Sequence, residues 1–436
     1  MLKPKPDQKG TGLKLSLYVV NNHREYIMSD ERVFVGLDIG TTKIAAVVAR
    51  LDEYNTLNIA GVGTSPSHGL RRGVVINIEK TVQSIKKALE QAQLMSGCHI
   101  DHIYAGIAGD HIRSINSKGV IAVGGKDKII TQNDLDRVVD AAKAIALPMD
   151  REIIHILPQE FIVDDQDGIK DPIGMAGTRL ECEVHIVTAS ASAVQNIVNC
   201  VKQSGYSVEE IVLEPYASSL AVLNHDELDL GVSIMDIGGG TTDIAVFLDG
   251  SIRFTSVLGL GGEHVTNDLS HGLRTPMDQA EEIKKKHGCA LQSMVSEEEH
   301  VMVSGIAGRA PREIARSVLS AIIEPRMEEM FTMVLSELEK SGVYDSLAAG
   351  IVLTGGASLL PGSAELAERV IGIPAKIGAP IVSGGLVETV KSPIFSTSVG
   401  LIQYAVKRKP EMGSSRQGGM FKKFVDQIKD YFEDVF

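Results

Sequence analysis

Two stretches of the 436-residue chain place a carboxylate, a glycine and two adjacent hydroxyls in the same order between apolar runs. The first reads V-G-L-D-I-G-T-T-K-I-A-A-V-V at 35–48 and the second S-I-M-D-I-G-G-G-T-T-D-I-A-V-F at 233–247. Glycine lets a backbone turn sharply and bring its N–H groups close to an anion. Gly40 and the run Gly238, Gly239 and Gly240 therefore suit a phosphate chain. The hydroxyls of Thr41, Thr42, Thr241 and Thr242 add donors, and Lys43 can neutralise phosphate charge. Asp38 and Asp236 fall at strand ends, where carboxylates hold Mg²⁺ through water. The chemistry that fits is binding of a nucleoside triphosphate, ATP, with Mg. A single glycine hairpin says little. A pair in corresponding positions of two α/β halves points to duplication, with a cleft between the halves. Neither a G-x-x-x-x-G-K-[ST] loop nor a G-x-G-x-x-G fingerprint occurs, which disfavours those two nucleotide-binding folds.

These loops need rigid elements on both sides. The run VFVGLDIG reads as a buried strand and KIAAVVARL as the next, joined by a tight turn. Apolar residues at helical spacing predict helices over 79–96 and 131–146, the second started by Thr131 with Asp134 three residues on. Further helices are predicted from 191 to 201, over 276–287 and over 311–341, the last carrying Arg312, Arg316, Glu324 and Arg326. Strands and turns between 112 and 183 read as an inserted subdomain, and residues 1–32 as a disordered leader in which Met28 is a candidate start. A length of 436 residues asks for more than one core. The net charge of −13 argues against nucleic-acid binding. Cys98, Cys182, Cys200 and Cys289 are scattered, and the twelve histidines lack metal-ligand spacing.

At the paired loops the sequence resembles the actin, heat-shock chaperone and sugar-kinase superfamily. LEPYASSLAVL (213–223) resembles its first connecting helix, IVLTGGASLLPG (351–362) its adenosine motif and SPIFSTSVGLIQYA (392–405) its second connecting helix. The resemblance implies that Gly355, Gly356 and Ala357 approach the sugar and base. It also implies that Glu281 and Lys284 flank the adenosine, and that Gly261 and Gly262 lie near the phosphates. HILPQEF (155–161), DGIKDPIGMAG (167–177), HGCALQS (287–293), IIEPR (322–326), AAGIVLTGGAS (348–358) and IGAP (377–380) narrow the likeness to the FtsA family of bacterial cell-division proteins, from about residue 33 to the C-terminus. The resemblance implies an actin-like (ribonuclease-H-type) α/β fold of two lobes and four subdomains. Subdomain IA takes 33–111, 184–228 and 392–406, and the inserted FtsA-type subdomain IC takes 112–183. Subdomain IIA takes 229–262 and 347–391, and IIB takes 263–346. A linker at 407–419 leads to a C-terminal amphipathic helix at 420–436.

In that last segment Phe421, Phe424, Val425, Ile428, Tyr431, Phe432, Val435 and Phe436 fall on one arc of roughly 140°. Every charged residue lies outside the arc, as in an in-plane membrane anchor. The family likeness implies a peripheral protein on the cytoplasmic face of the inner membrane at the division septum. Its partners would be the FtsZ C-terminal tail (contacted through IIB), further copies of itself in filaments, later division proteins and membrane lipid. ATP would then act as a switch between lobes. The competing class is a catalyst, an actin-fold kinase or ATPase. Its one carboxylate candidate is Glu214, which can orient an attacking water and serves equally well as a structural group or in a Mg²⁺ shell.

Overall fold

The computed structural model describes residues 32–54, 56–305 and 310–408. The leader and the linker-helix read at 407–436 therefore lie outside the described residues, apart from Arg32, which begins a strand, and Lys407 and Arg408.

The apolar run ending in Asp-Ile-Gly forms β1 (Arg32–Ile39), which turns at Gly40 into the antiparallel β2 (Lys43–Leu51) and then β3 (Leu57–Pro66). A tight hairpin follows, β4 (Leu70–Arg71) and β5 (Val74–Val75). Helix α1 (Ile78–Ser96) begins where the Asn77 side chain accepts the Lys80 N–H. It buries Ile85, Ala88, Leu89 and Ala92, and β6 (His102–Ile107) then runs parallel to β1.

The chain now leaves this sheet. The strands β7 (Arg113–Ala122), β8 (Arg151–Val163), β9 (Gln166–Ile169) and β10 (Arg179–Ser190) form a separate antiparallel sheet in the order β7-β10-β8-β9. Helix α2 (Gln132–Lys143), started by a Thr131–Asp134 capping box, covers it and closes a small core around Phe161 and Leu180. This insert also touches the second half of the molecule. The His185 ring bonds the Asn116 side chain at 2.6 Å and the Thr255 hydroxyl at 3.0 Å, and Gln159 Nε2 donates to the Ile252 carbonyl at 2.8 Å.

Helix α3 (Ala191–Gln203) returns the chain to β11 (Ser207–Leu213), which completes the first sheet beside β6. Then α4 (Glu214–Val222) and α5 (His225–Leu230) lead across. The second sheet repeats the first. Its strands β12 (Val232–Ile237), β13 (Thr242–Leu248) and β14 (Ser251–Leu258) form the antiparallel meander. After them come α6 (Gly262–Leu273), α7 (Met277–His287), the two-stranded β15 (His300–Val303) and β16 (Arg312–Ala315), and α8 (Arg316–Ser341). Strands β17 (Gly350–Thr354) and, beyond α9 (Ser363–Ile371), β18 (Ala375–Ile377) add the two parallel members. The orders β3-β2-β1-β6-β11 and β14-β13-β12-β17-β18 correspond strand for strand in sequence and in direction of pairing. The duplication seen in two hairpins thus extends to both sheets. The chain then adds β19 (Gly384–Gly385) to the β3 edge and passes α10 (Val387–Val390) to α11 (Ser396–Lys407).

One predicted helix is shorter than the periodicity implies. Residues 312–315 are strand, paired antiparallel with β15 through Val301–Ile314, and α8 starts only at Arg316. Arg312 is therefore a strand residue, because a four-residue strand shows too little alternation to compete with the apolar pattern that follows.

Between the two sheets α4 and α11 pack face to face on small residues. A β-carbon on Gly400 would lie 1.8 Å from the Ala217 carbonyl oxygen, and one on Gly36 would lie 2.2 Å from that of Ser398. This close approach brings Ser218 of α4 and Thr397 of α11 to Asp236 at the end of β12. Among the described residues no helix is long and apolar enough to cross a membrane.

Candidate functional site

The two hairpin tips meet. A β-carbon on Gly239 would come within 2.4 Å of the Thr42 side chain, and one on Gly240 within 2.5 Å of the Thr41 hydroxyl. At both places the threonine side chains of the opposite loop occupy the space that a side chain would take. A phosphate enters only where these tips part, or lies beside their contact. The segment before α6 is bonded to the second loop: Gly262 N–H donates to the Gly238 carbonyl at 2.9 Å and Glu263 N–H to that of Gly239 at 2.8 Å.

The four threonine hydroxyls differ in what they can offer. Thr242 is buried and donates to the Leu260 carbonyl at 2.9 Å, and Thr241 donates to Asp243 Oδ2 at 2.9 Å. Both protons are committed within the protein, so these two residues shape the loop. Thr41 Oγ1 accepts the Gly73 N–H at 3.1 Å, whereas Thr42 is exposed.

Behind the tips lie the buried carboxylates Asp38, Asp236 and Asp243, with Glu214 half-buried near them. Burial pushes Asp38 up to about 6, opposed by the Lys43 charge and reinforced by Asp236. Burial also raises Asp236, although the Ser218 hydroxyl at 2.7 Å and the Thr397 hydroxyl at 3.1 Å both donate to its Oδ2 and favour the ionised form. Asp243 and Glu214 are raised well above the usual carboxylate range by burial and by neighbouring carboxylates. Asp243 Oδ1 is buried with no hydrogen-bond partner. Lys43 lies near enough to Asp38 and Asp236 to interact with their charges, donates to the Ile394 carbonyl and lies 4.9 Å from the Phe395 ring centre.

Among the described residues no group of three or more His, Cys, Asp or Glu side chains stands in ligating array. Asp38 and Asp236 do offer hard oxygen donors. Crowded carboxylates, one with an orphaned oxygen, fit a divalent cation held partly through water.

The residues singled out as an adenosine subsite also converge. Lys284 Nζ pairs with Glu281 at 2.6 Å, and donates to the Gly262 carbonyl at 2.9 Å and to Thr266 Oγ1 at 2.8 Å. Burial alone would raise Glu281, but the Lys284 charge and hydrogen bonds from Lys284, Thr266 and Lys285 hold it at about 2. Ala357 faces Gly262, where a β-carbon would sit 3.0 Å from its own. Gly355 has φ +83° and packs on Asp236, Oδ1 lying 2.3 Å from where its β-carbon would be. Gly356 opens the 3₁₀ turn that follows.

Sequence reasoning passed over Asp243, Ser218, Thr397 and Thr266. Asp243 had a signal, since it occupies the repeat position that Lys43 holds in the first hairpin. The other three are ordinary hydroxyl residues of helices, and only packing brings them to the carboxylates and to Lys284.

Known proteins resemble this chain in sequence and in fold. The family model for cell division protein FtsA matches residues 233–400, and that for the SHS2 domain inserted in FtsA matches 109–188. The cell division protein FtsA of Pseudomonas aeruginosa is 46% identical over 391 residues, covering 89% of this chain and 93% of that protein. The FtsA of Escherichia coli K12 is 40% identical over 383 residues, covering 86% and 91%. Among solved structures, the PilM-PilN type IV pilus biogenesis complex matches with a TM-score of 0.62 at 17% identity, over 86% of this chain and 99% of that one. The fold is actin-like, with the insert that distinguishes one group within that fold. The chain belongs to the FtsA family of cell division proteins.

Proposed function

We propose that this chain binds ATP with Mg²⁺ between its two lobes, self-associates at the division site and tethers the FtsZ ring to the cytoplasmic face of the cell membrane through residues 420–436. The observation that carries the reading is the course of α11. At its start, Thr397 donates to Asp236 and Ser396 bonds Thr354. At its end, Arg408, at the start of the linker, pairs with Glu210 and with the Tyr404 hydroxyl. One helix therefore joins the cleft carboxylate to the origin of the tail, so a change of nucleotide at Asp236 has a mechanical route to the membrane element.

A divalent cation held near Asp38 and Asp236 would supply positive charge to balance the cleft acids and the phosphates. The chain's own part is to position it. Ser218 and Thr397 hold Asp236, Thr241 holds Asp243, and Lys284 with Glu281 frames the adenosine side. On this reading subdomain IIB (263–346) meets the FtsZ tail and the insert at 112–183 meets neighbouring copies and later division proteins.

Hydrolysis as the main role is the second reading, and Glu214 is the observation in its favour. It is half-buried, near enough to Asp38, Asp243 and Asp236 to feel their charges, and packs where a β-carbon on Gly106 would come within 2.8 Å. Burial and the neighbouring carboxylates raise its affinity for a proton, and a cation bound beside it would favour ionisation to a general base.

The test uses full-length protein, vesicles of bacterial phospholipid, FtsZ-tail peptide and ATP with Mg²⁺. The protein should sediment with vesicles and carry the peptide with it, and Phe432→Asp should abolish sedimentation. Unchanged sedimentation of that variant removes the tether. Fast turnover that ignores vesicles and peptide favours the catalyst.

A further inference from the structure

The cleft holds two cations that are already committed. Lys43 donates to the Ile394 carbonyl, and Lys284 is shared among Glu281, Thr266 and the Gly262 carbonyl. Arg72 is different. It is exposed and its guanidinium has no hydrogen bond or ion pair among the described residues.

Its backbone is held beside the phosphate loops. Arg72 and Gly73 are the two turn residues of the β4–β5 hairpin, with φ +49° and +75°. Two positive φ values in a two-residue hairpin favour Asn, Asp or Gly, and a long side chain is a strained choice at the first of them. The Gly73 N–H donates to Thr41 Oγ1 at 3.1 Å, which pins the turn to the tip of the first hairpin. Gly73 also packs so tightly that a β-carbon would lie 2.6 Å from the Ala108 carbonyl oxygen.

From this anchor the side chain crosses to the second lobe. Its Cδ, Nε and Nη1 lie 3.4, 3.8 and 4.0 Å from where a β-carbon on Gly259 would be. Gly259 leads through Leu260 into Gly261 and Gly262, the segment bonded to the second hairpin loop. A strained backbone, a pinned turn and an unpaired guanidinium thus coincide at the phosphate end of the cleft.

We propose that Arg72 binds the terminal phosphate of a nucleoside triphosphate, reaching it from the first lobe across to the second. The assignment rests on the nucleotide reading above. MgATP keeps net negative charge, and a planar guanidinium that can donate two parallel hydrogen bonds matches a phosphate edge. ADP, lacking that group, loses nothing when Arg72 is removed. Arg72 therefore distinguishes triphosphate from diphosphate and draws the lobes together only around the former.

The experiment measures equilibrium binding of fluorescent ATP and ADP, each with Mg²⁺, to full-length wild type, Arg72→Gly and Arg72→Lys. Arg72→Gly relieves the positive φ, so its thermal midpoint should not fall below wild type. It should weaken ATP about ten- to a hundredfold and change ADP by less than about twofold. Arg72→Lys should recover part of the loss. Equal weakening of both nucleotides, or none, overturns the assignment while leaving the nucleotide reading intact. Wild type that binds neither nucleotide overturns both.

Discussion

Thr397, in the first turn of α11, donates its hydroxyl proton to Asp236 at the end of β12, 3.1 Å away and 161 residues earlier in the chain. Ser218 of α4 donates to the same oxygen at 2.7 Å, and the two hydroxyls stand 3.1 Å apart. The middle of α4 and the first turn of α11 therefore meet on one carboxylate of the second lobe, which makes Asp236 a point where the halves are joined.

Removing one of these donors should disturb ligand binding more than folding. Thr397→Val keeps the shape and deletes one hydrogen bond to Asp236. Hydrogen bonds to charged groups contribute about 1.5–3 kcal/mol. Calorimetry should show MgATP affinity falling by about tenfold or more, with a thermal midpoint near that of wild type. Unaltered affinity would mean that Asp236 does not act on the ligand.

Gly400 offers a structural test. Its missing β-carbon would fall 1.8 Å from the Ala217 carbonyl oxygen, and neither group is a side chain that can swing away. Gly400→Ala should cost at least about 2–3 kcal/mol through forced separation of α4 and α11. A lowered thermal unfolding midpoint is the readout, and loss of nucleotide binding should accompany it.

Acid should weaken the fold through two histidines. Burial lowers His155 to about 3, with the Arg408 and His185 charges adding to the effect, and burial lowers His185 to about 4. Both values lie below the ordinary 6.5, so the unfolded chain binds more protons between these limits. Their contribution is complete above pH 6.5 and is lost as pH falls toward 4 and then 3, by up to about 1.4 kcal/mol per pH unit for each ring. His185→Gln should flatten part of this slope in denaturation measured from pH 7 to 4.5. An unchanged slope would mean that His185 is not held neutral between Asn116 and Thr255.

Lys284 gives a contrast with Arg72. It contacts Glu281, Thr266 and Gly262 on the proposed adenosine side. Lys284→Ala should therefore weaken ATP and ADP together, by about tenfold or more, leaving their ratio unchanged in the fluorescence assay. A changed ratio would place Lys284 at the terminal phosphate instead.

The strands and most helices were legible because their signals are local. Apolar runs between glycine turns mark β1, β2, β12 and β13, while Thr131 and Asp134 mark the start of α2. Residues 312–315 were not legible, because a four-residue strand exists only through its partner at 300–303. The site divides in the same way. Asp38, Gly40, Asp236 and the glycines after it stood out by spacing within one hairpin.

What the amino-acid order determined by itself was the duplicated pair of carboxylate–glycine–threonine hairpins, since each is built from adjacent residues under its own backbone constraints. Only the tertiary structure decided which groups serve them. It spent the hydroxyls of Thr241 and Thr242 inside the protein, brought Ser218 and Thr397 to Asp236, and set the Arg72 turn against Thr41. Those contacts arise from the close packing of α4 on α11 and from the fold around the β4–β5 hairpin, and no local periodicity encodes them.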